Sequence, residues 1–156
     1  MLRALDAHGV RYVVIGGFAA WIHGAPVITA DLDIIYEASE PNIVQLCAAL
    51  AELQAIYRHQ FGRRLEPTRE GLSSVQGAGH HLLETRAGNL DVLRSAADHT
   101  YRELVADAVS FEIDGIPTSI VSLSRIIALK EAAGRPKDLA ALPALRAVLE
   151  ETGGEG

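Results

Sequence analysis

Cysteine is nearly absent from this chain, which carries only Cys47. A single thiol leaves nothing for an internal disulfide framework and excludes the usual four-ligand zinc sites built on cysteine, so a reducing, cytoplasmic setting is expected. Long apolar runs are missing too, and the opening residues Met1-Leu2-Arg3-Ala4-Leu5-Asp6 are charged early. No stretch approaches the roughly 18 residues of a membrane span and none has the layout of a secretory signal, so no membrane partner is expected. Basic residues are in short supply: 14 Lys and Arg against 20 Asp and Glu give a net charge of −6 and a pI near 5.5. Such a surface does not as a whole attract a long duplex, although a local basic patch stays open, and no basic recognition helix marks a DNA-binding regulator. Apolar mass is plentiful. With 49% of 156 residues hydrophobic there is material for one packed core, and the expected organisation is one domain over residues 1–151 with a disordered tail over 152–156.

The informative stretch is residues 12–37, YVVIGGFAAWIHGAPVITADLDIIYE. Tyr12, Val13, Val14 and Ile15 form a short continuous apolar run, the pattern of a strand buried on both faces. It stops at Gly16 and Gly17, where the missing Cβ frees the backbone to take positive φ and lets a ligand come close to the amides. Residues 18–23 predict a short helix, ended by Gly24 and kept from resuming by Pro26. Its free N–H groups open at the glycine pair, a seat for phosphate. Residues 31–36 alternate with period two and predict a second strand on which Asp31, Asp33 and Ile35 share a face. Same-face neighbours on a strand stand about 6 to 7 Å apart, close enough for two carboxylates to reach toward one or two cations of the Mg²⁺ kind. Without a cation the paired anions would repel, and burial would raise at least one pKa. Taken singly, a diglycine is most often a tight turn and Asp-x-Asp an acidic strand edge; it is their conjunction that carries the resemblance given below.

The rest of the chain reads as support for that stretch. Residues 2–8 predict a helix stopped by Gly9. Ser39-Glu40-Pro41 marks another helix start with Ser39 as its N-cap, and Ile43, Leu46, Cys47, Leu50 and Leu53 follow helical spacing, which puts Cys47 in the core. Over residues 54–70 no period holds. Arg58, Arg63, Arg64 and Arg69 make this the most basic segment, read as a solvated loop with a phosphate-binding rim as the sharper alternative. Residues 71–79 read as a mobile connection. His80 and His81 point to opposite faces of a strand and so do not share a metal. Residues 82–86 and 89–94 predict a hairpin turning at Ala87-Gly88, with Asn89, Asp91 and Leu93 on one face; Asp91 by itself is an edge-strand carboxylate. Residues 99–106 predict a helix, and Asp114-Gly115 a type I′ turn between strands 108–113 and 116–121. Ser122 caps a helix with Leu123, Ile126, Ile127 and Lys130 on its inner face, a position from which lysine commonly snorkels to water. Gly134-Arg135-Pro136 breaks that helix, and a last one starts at Lys137-Asp138-Leu139, kinked or restarted at Pro143.

Gly16-Gly17, thirteen residues, then Asp31-Leu32-Asp33-Ile34 with Thr29 two before the first acid, closely resembles the signature of the polymerase β-type nucleotidyltransferase superfamily. It looks most like the small stand-alone bacterial members, the minimal nucleotidyltransferases and the toxins of abortive-infection and toxin–antitoxin systems. The resemblance covers about residues 10–149 and is specific at this first motif. It implies an α/β (α+β) fold, a mixed β-sheet flanked by helices. It also implies that a third carboxylate on a later central strand completes the metal site, and Asp91 matches in order and context. Lys130 with the following Arg135-Pro136-Lys137-Asp138-Leu139 is similar to the closing motif, in which a lysine contacts nucleotide and a Lys-Asp pair ends the core. Lys130, Lys137 and Asp138 therefore join Gly16, Gly17 and Thr29 as nucleotide-binding candidates. Two positions depart from the pattern. Val27 stands where an arginine is common four residues before the first acid, which removes a basic contact to the phosphates, and Ala141 stands where a second acid is common three residues after Asp138.

The resemblance implies a Mg²⁺-dependent enzyme, with Mn²⁺ an alternative, that binds ATP or another NTP. Asp31 and Asp33 would hold Mg²⁺ against the phosphates, and Asp91 would help hold a second ion that activates an acceptor hydroxyl. The acceptor is an RNA end such as tRNA, a protein or a small molecule, and a toxin of this kind would have an antitoxin protein as partner. The competing reading is a catalytically weak nucleotide-binding or partner-binding protein of the same fold, favoured by the missing basic contact and the acidic surface.

Overall fold

The structure is a computed structural model and describes residues 1–60, 62–76 and 79–153. Helix α1 (Leu2–Ala7) lays Ala4 and Leu5 into the core and ends before Gly9. Strand β1 (Tyr12–Ile15) follows, buried along its whole length as its unbroken apolar run requires. Helix α2 (Gly16–Ile22) begins at once, without the separate turn expected at the diglycine. Gly16, at φ +74°, makes that abrupt change of direction, a conformation in which a Cβ would be strained. After the extended segment that follows comes β2 (Asp31–Tyr36), then α3 (Glu40–Glu52), with Pro41 in its first turn. Ser39 precedes α3 but does not cap it through its side chain. Its hydroxyl is engaged instead with Glu37, at 3.1 Å, and with Arg11, at 3.2 Å.

Residues 54–70 are not all solvated loop, because Ile56–Tyr57 forms the short strand β3. Nor is the next stretch wholly a loose connection, since α4 (Arg69–Ser73) occupies its start, capped by Thr68 and burying Leu72. Residues 77 and 78 of that connection lie outside the described residues, as do 154–156 of the expected tail. Strands β4 (His80–Thr85) and β5 (Gly88–Leu93) form the predicted hairpin, but Thr85 pairs with Gly88, so Arg86 and Ala87 are the turn residues. Where a helix was expected from residue 99, a small hairpin comes first, β6 (Ser95–Ala96) and β7 (His99–Thr100). The Thr100–Glu103 capping box then starts α5 (Tyr101–Val105). Strands β8 (Val109–Ile113) and β9 (Ile116–Ile120) meet at Asp114 and Gly115, whose φ values of +51° and +78° are those of a type I′ turn. Helix α6 (Leu123–Ala133) is capped by Ser122 and closed by Gly134 at φ +61°, and α7 (Pro136–Glu151) runs straight through Pro143.

Seven strands make one mixed sheet in the order β3-β4-β5-β2-β1-β9-β8. The centre is set by β2, antiparallel to β1 and parallel to β5. Because side chains alternate along a strand, Leu32, Ile34 and Tyr36 of β2 turn to one face, and all three are buried. Helices α3 and α4 contact each other, and the Tyr36 hydroxyl donates to the Leu72 carbonyl of α4 at 2.8 Å, so these helices close that face. Asn42, fully buried at the start of α3, ties the entry of β1 to the exit of β2: it accepts from the Arg11 N–H and donates to the carbonyls of Arg11 and Glu37. The other end of the opposite sheet face carries the acids.

Candidate active site

The parallel pairing of β2 with β5 places Asp31 opposite Asn89 and Asp33 opposite Asp91. Cα partners across a ladder project to the same face, so two neighbouring strands present Asp31, Asp33, Asn89 and Asp91 as one square of polar side chains. The three predicted carboxylates are thus brought together. Asn89 Nδ2 donates to Asp31 Oδ1 at 3.0 Å and orients that carboxylate. Asn89 had been placed on the face of Asp91 by alternation alone, yet nothing in the sequence singled it out as a partner.

The diglycine opens on the same side. A Cβ built on Gly16 would run into the Asp33 carboxylate, 2.9 Å from its Cγ, and one on Gly17 would stand 2.9 Å from the Thr29 Cβ. Glycine is required here because the first turn of α2 lies directly against the acid and against Thr29. Thr29 packs in this gap and donates its hydroxyl to the Asp31 carbonyl at 3.1 Å, steadying the start of β2.

Clustered anions show in the titration of the acids. Burial, then the charges of Asp91 and Asp31, push the Asp33 carboxyl up to about 6, against the smaller opposing pull of Lys137 and Lys130. Asp91 is also raised, first by burial and then by Asp31, with the Arg58 guanidinium working against the shift.

Arg58 is the residue at these acids that sequence reasoning did not place there. It had been counted in a loop, but it follows β3 directly and turns its guanidinium in among the acids, its side chain only 15% exposed. Nη2 donates to Asp91 Oδ1, and Nη1 stands 3.6 Å from Asp31 Oδ2. The one available signal was the pair Ile56-Tyr57, a strand fragment too short to be told from loop by period. Arg63, Arg64 and Arg69 of the same segment are exposed, as the solvated loop has them, and Arg58 meets carboxylates.

The closing motif is held together by Asp138. Asp138, at 2% exposure, accepts from Lys130 Nζ at 3.1 Å and from Arg135 Nε at 2.5 Å. Burial alone would raise its carboxyl, but the hydrogen bonds and charges of Arg135 and Lys130 hold it below the usual range. Lys130 therefore spends its charge on Asp138, which clamps α6 to α7. Both Lys130 and Lys137 still stand near enough to act on Asp33.

The fit to a cation can be judged from these contacts. Three carboxylates on adjoining strands are the hard oxygen donors that Mg²⁺ or Mn²⁺ takes, and a guanidinium already bridges two of them. Among the described residues, however, no three His, Cys, Asp or Glu side chains are gathered closely enough to hold an ion as they stand. The donor set fits by chemistry and register, and the Arg58 guanidinium stands between Asp31 and Asp91. Beside Asp31 and Thr29 opens a cleft of about 560 Å³, walled by Phe18, Trp21, Ile113 and Ile116. It borders the first acid alone, so it is space next to the carboxylates rather than the carboxylate site itself.

Among the described residues no helix is long and apolar enough to cross a membrane. The sequence matches no protein-family model and no curated protein. Solved structures do resemble it. A candidate nucleotidyltransferase from Thermotoga maritima superposes with a TM-score of 0.57 at 17% identity, covering 96% of this chain and 88% of the other. The antibiotic-resistance factor ANT(2'')-Ia, in its complex with adenylyl-2''-tobramycin, gives 0.56 at 19% identity over 99% of this chain and 86% of the other. An antigenic nucleotidyltransferase-like protein from Paracoccidioides brasiliensis gives 0.57 at 16% identity over 96% and 72%. At these identities the likeness establishes the fold: this chain has the nucleotidyltransferase-like fold, a mixed sheet flanked by helices.

Proposed function

We propose that the protein is a metal-dependent nucleotidyltransferase that moves a nucleoside monophosphate from an NTP to an acceptor hydroxyl in the cytoplasm. The observation that carries this reading is the register of β2 and β5, which sets Asp33 beside Asp91 and Asp31 beside Asn89 with a cation, Arg58, among them. Structural neighbours of the nucleotidyltransferase kind support it.

In this reading Asp31, Asp33 and Asp91 would hold Mg²⁺ or Mn²⁺. The ion supplies neutralisation of phosphate charge and Lewis-acid polarisation at the entering and leaving oxygens. Gly16 and Gly17 leave the backbone beside Asp33 free of side chains, so that a phosphate can come up to the start of α2. Lys137 adds a cation toward the same acids, while Lys130 acts chiefly through Asp138. Asn89 keeps the Asp31 carboxylate turned toward the site, and Thr29 fixes the strand end from which it projects. Electrostatic positioning of this kind is what phosphoryl-type transfers need most from a protein.

The acceptor is an RNA end such as tRNA, a protein side chain or a small molecule. The net charge of −6 favours a small cationic acceptor that bears hydroxyl groups over a nucleic acid. ANT(2'')-Ia, bound to an adenylylated tobramycin, lends that choice an analogy of fold. A toxin of a toxin–antitoxin pair that modifies a tRNA end is one form of this reading, with an antitoxin protein as its partner. A second reading, nucleotide binding without turnover, draws on the Val27 position and on Arg58 standing where the ion belongs.

The test incubates the protein with each labelled NTP and Mg²⁺ or Mn²⁺, offering total cell RNA, total cell protein and hydroxylated polyamines as acceptors, with Asp31→Ala alongside. Label on an acceptor that vanishes in Asp31→Ala supports the enzyme. Label that survives in Asp31→Ala refutes the site, and NTP binding by calorimetry with no pyrophosphate released from any mixture favours the binding protein.

A further inference from the structure

Arg58 is held in a way that its own contacts do not justify. Its backbone N–H donates to the Leu82 carbonyl at 3.0 Å, which pins the residue to the edge of the sheet. From there its side chain reaches inward to Asp91 and Asp31. Its Nε, also buried, has no hydrogen-bond partner among the described residues. A guanidinium offers five donors in a planar fork and is best satisfied when paired face to face with one carboxylate. Here it is stretched between two carboxylates and leaves Nε without an acceptor, a cost that is tolerated because the alternative is worse: three anions facing one another with only the more distant pull of Lys130 and Lys137. Asp33 receives nothing from it. The other nearby cation with a buried side chain, Lys130, is committed to Asp138 at 3.1 Å.

We propose that Arg58 is a displaceable internal cation, which neutralises Asp31 and Asp91 in the ion-free protein and must leave them when a divalent cation binds the same carboxylates. This rests on the metal-dependent reading above. It adds that loading the site is an exchange of one cation for another. Arg58 then lowers the apparent affinity for the ion, because its own attraction to the acids has to be overcome first, and protects the empty site from its own repulsion. The exchange is local: Arg58 is tied to β4 by its backbone alone, and freeing its side chain breaks no strand pairing.

The probe is Mn²⁺ alone, whose binding is read by electron paramagnetic resonance of the free ion, together with thermal melting in EDTA. Wild type is compared with Arg58→Gln and Arg58→Met. Taking away a unit charge close to the ligands should tighten Mn²⁺ binding about tenfold or more in Arg58→Gln. In EDTA the same variant should melt below wild type, and saturating Mn²⁺ should close that gap. A purely structural arginine would lower the melting point without tightening Mn²⁺. Unchanged or weaker Mn²⁺ affinity in Arg58→Gln therefore overturns the exchange while leaving the metal site intact. Should neither wild type nor variant bind Mn²⁺, the metal-dependent reading falls and the exchange falls with it. If Arg58→Gln does not fold, Arg58→Met, which removes the charge but keeps an apolar stem of similar length, decides: tighter Mn²⁺ binding than wild type supports the exchange, and an unaltered or weaker constant overturns it.

Discussion

Replacing Asp33 by asparagine in the ion-free protein should make it more stable at neutral pH, and the gain should disappear in acid. The carboxyl of Asp33 is pushed up to about 6 from its ordinary 3.8 by burial and by its neighbours Asp91 and Asp31. A carboxyl whose folded pKa lies above its unfolded one binds protons more readily in the fold, so folding is penalised once the group ionises. The penalty is absent below pH about 4, grows as pH rises to about 6, and is constant above that. Roughly two units at about 1.4 kcal/mol each make it about 3 kcal/mol. Asparagine has nearly the same shape and carries no charge, so Asp33→Asn should gain up to about 3 kcal/mol at pH 8, or about 6 to 12 °C in Tm for a chain of this size. At pH 4 the two proteins should agree within about 1 kcal/mol. The assay is urea unfolding in EDTA at half-unit pH steps, where the difference between the two proteins cancels the titrating groups remote from the three acids. A variant that is less stable than wild type at pH 8, or a difference that does not change between pH 4 and 8, would refute the crowding of the three acids.

Other substitutions probe the supports of the site. Gly16→Ala should lose about 2 kcal/mol, because φ is +74° and the new methyl meets Asp33, and it should weaken Mn²⁺ binding severalfold. Gly115→Ala, at φ +78° with nothing nearby, carries the strain without the contact and should leave Mn²⁺ binding alone. Asp138→Asn should cost about 2 to 3 kcal/mol in urea unfolding by leaving buried donors of Lys130 half-paired, the exposure of Arg135 keeping the loss below that of a fully buried pair. Asp138 is held below its ordinary range, so its share of stability is complete above pH about 4 and is lost as pH falls through its folded pKa; the wild-type advantage over Asp138→Asn should shrink in acid.

The elements legible in the sequence are those whose signal is local. The run from Tyr12 to Ile15, the alternation of β2 and the Asp114-Gly115 turn each impose one backbone shape, and all three are present with the expected bounds or within a residue of them. The faces were legible for the same reason: alternation set Asp31 with Asp33, and Asn89 with Asp91. What alternation does not encode is which strands become neighbours. The pairing of β2 with β5 joins residues that are far apart in the chain, and only the family resemblance carried Asp91 to the other two acids. Arg58 was lost because a two-residue strand has no period, and its side chain is fixed by long-range charge rather than by any local preference. Ser39 shows the reverse case. It has the right residue type at the right place for a cap, but Arg11 and Glu37, brought alongside by β1 and β2, compete for its hydroxyl and win.

The claim at the centre is that Asp31, Asp33 and Asp91 form one cation site on the β2–β5 face. Crystals of the protein soaked in Mn²⁺ with a non-hydrolysable NTP and measured for anomalous scattering address it directly. The account predicts a manganese peak within bonding distance of carboxylate oxygens from both β2 and β5, beside Gly16. An anomalous map with no peak there, or with manganese bound elsewhere while Arg58 still bridges Asp31 and Asp91, would contradict it.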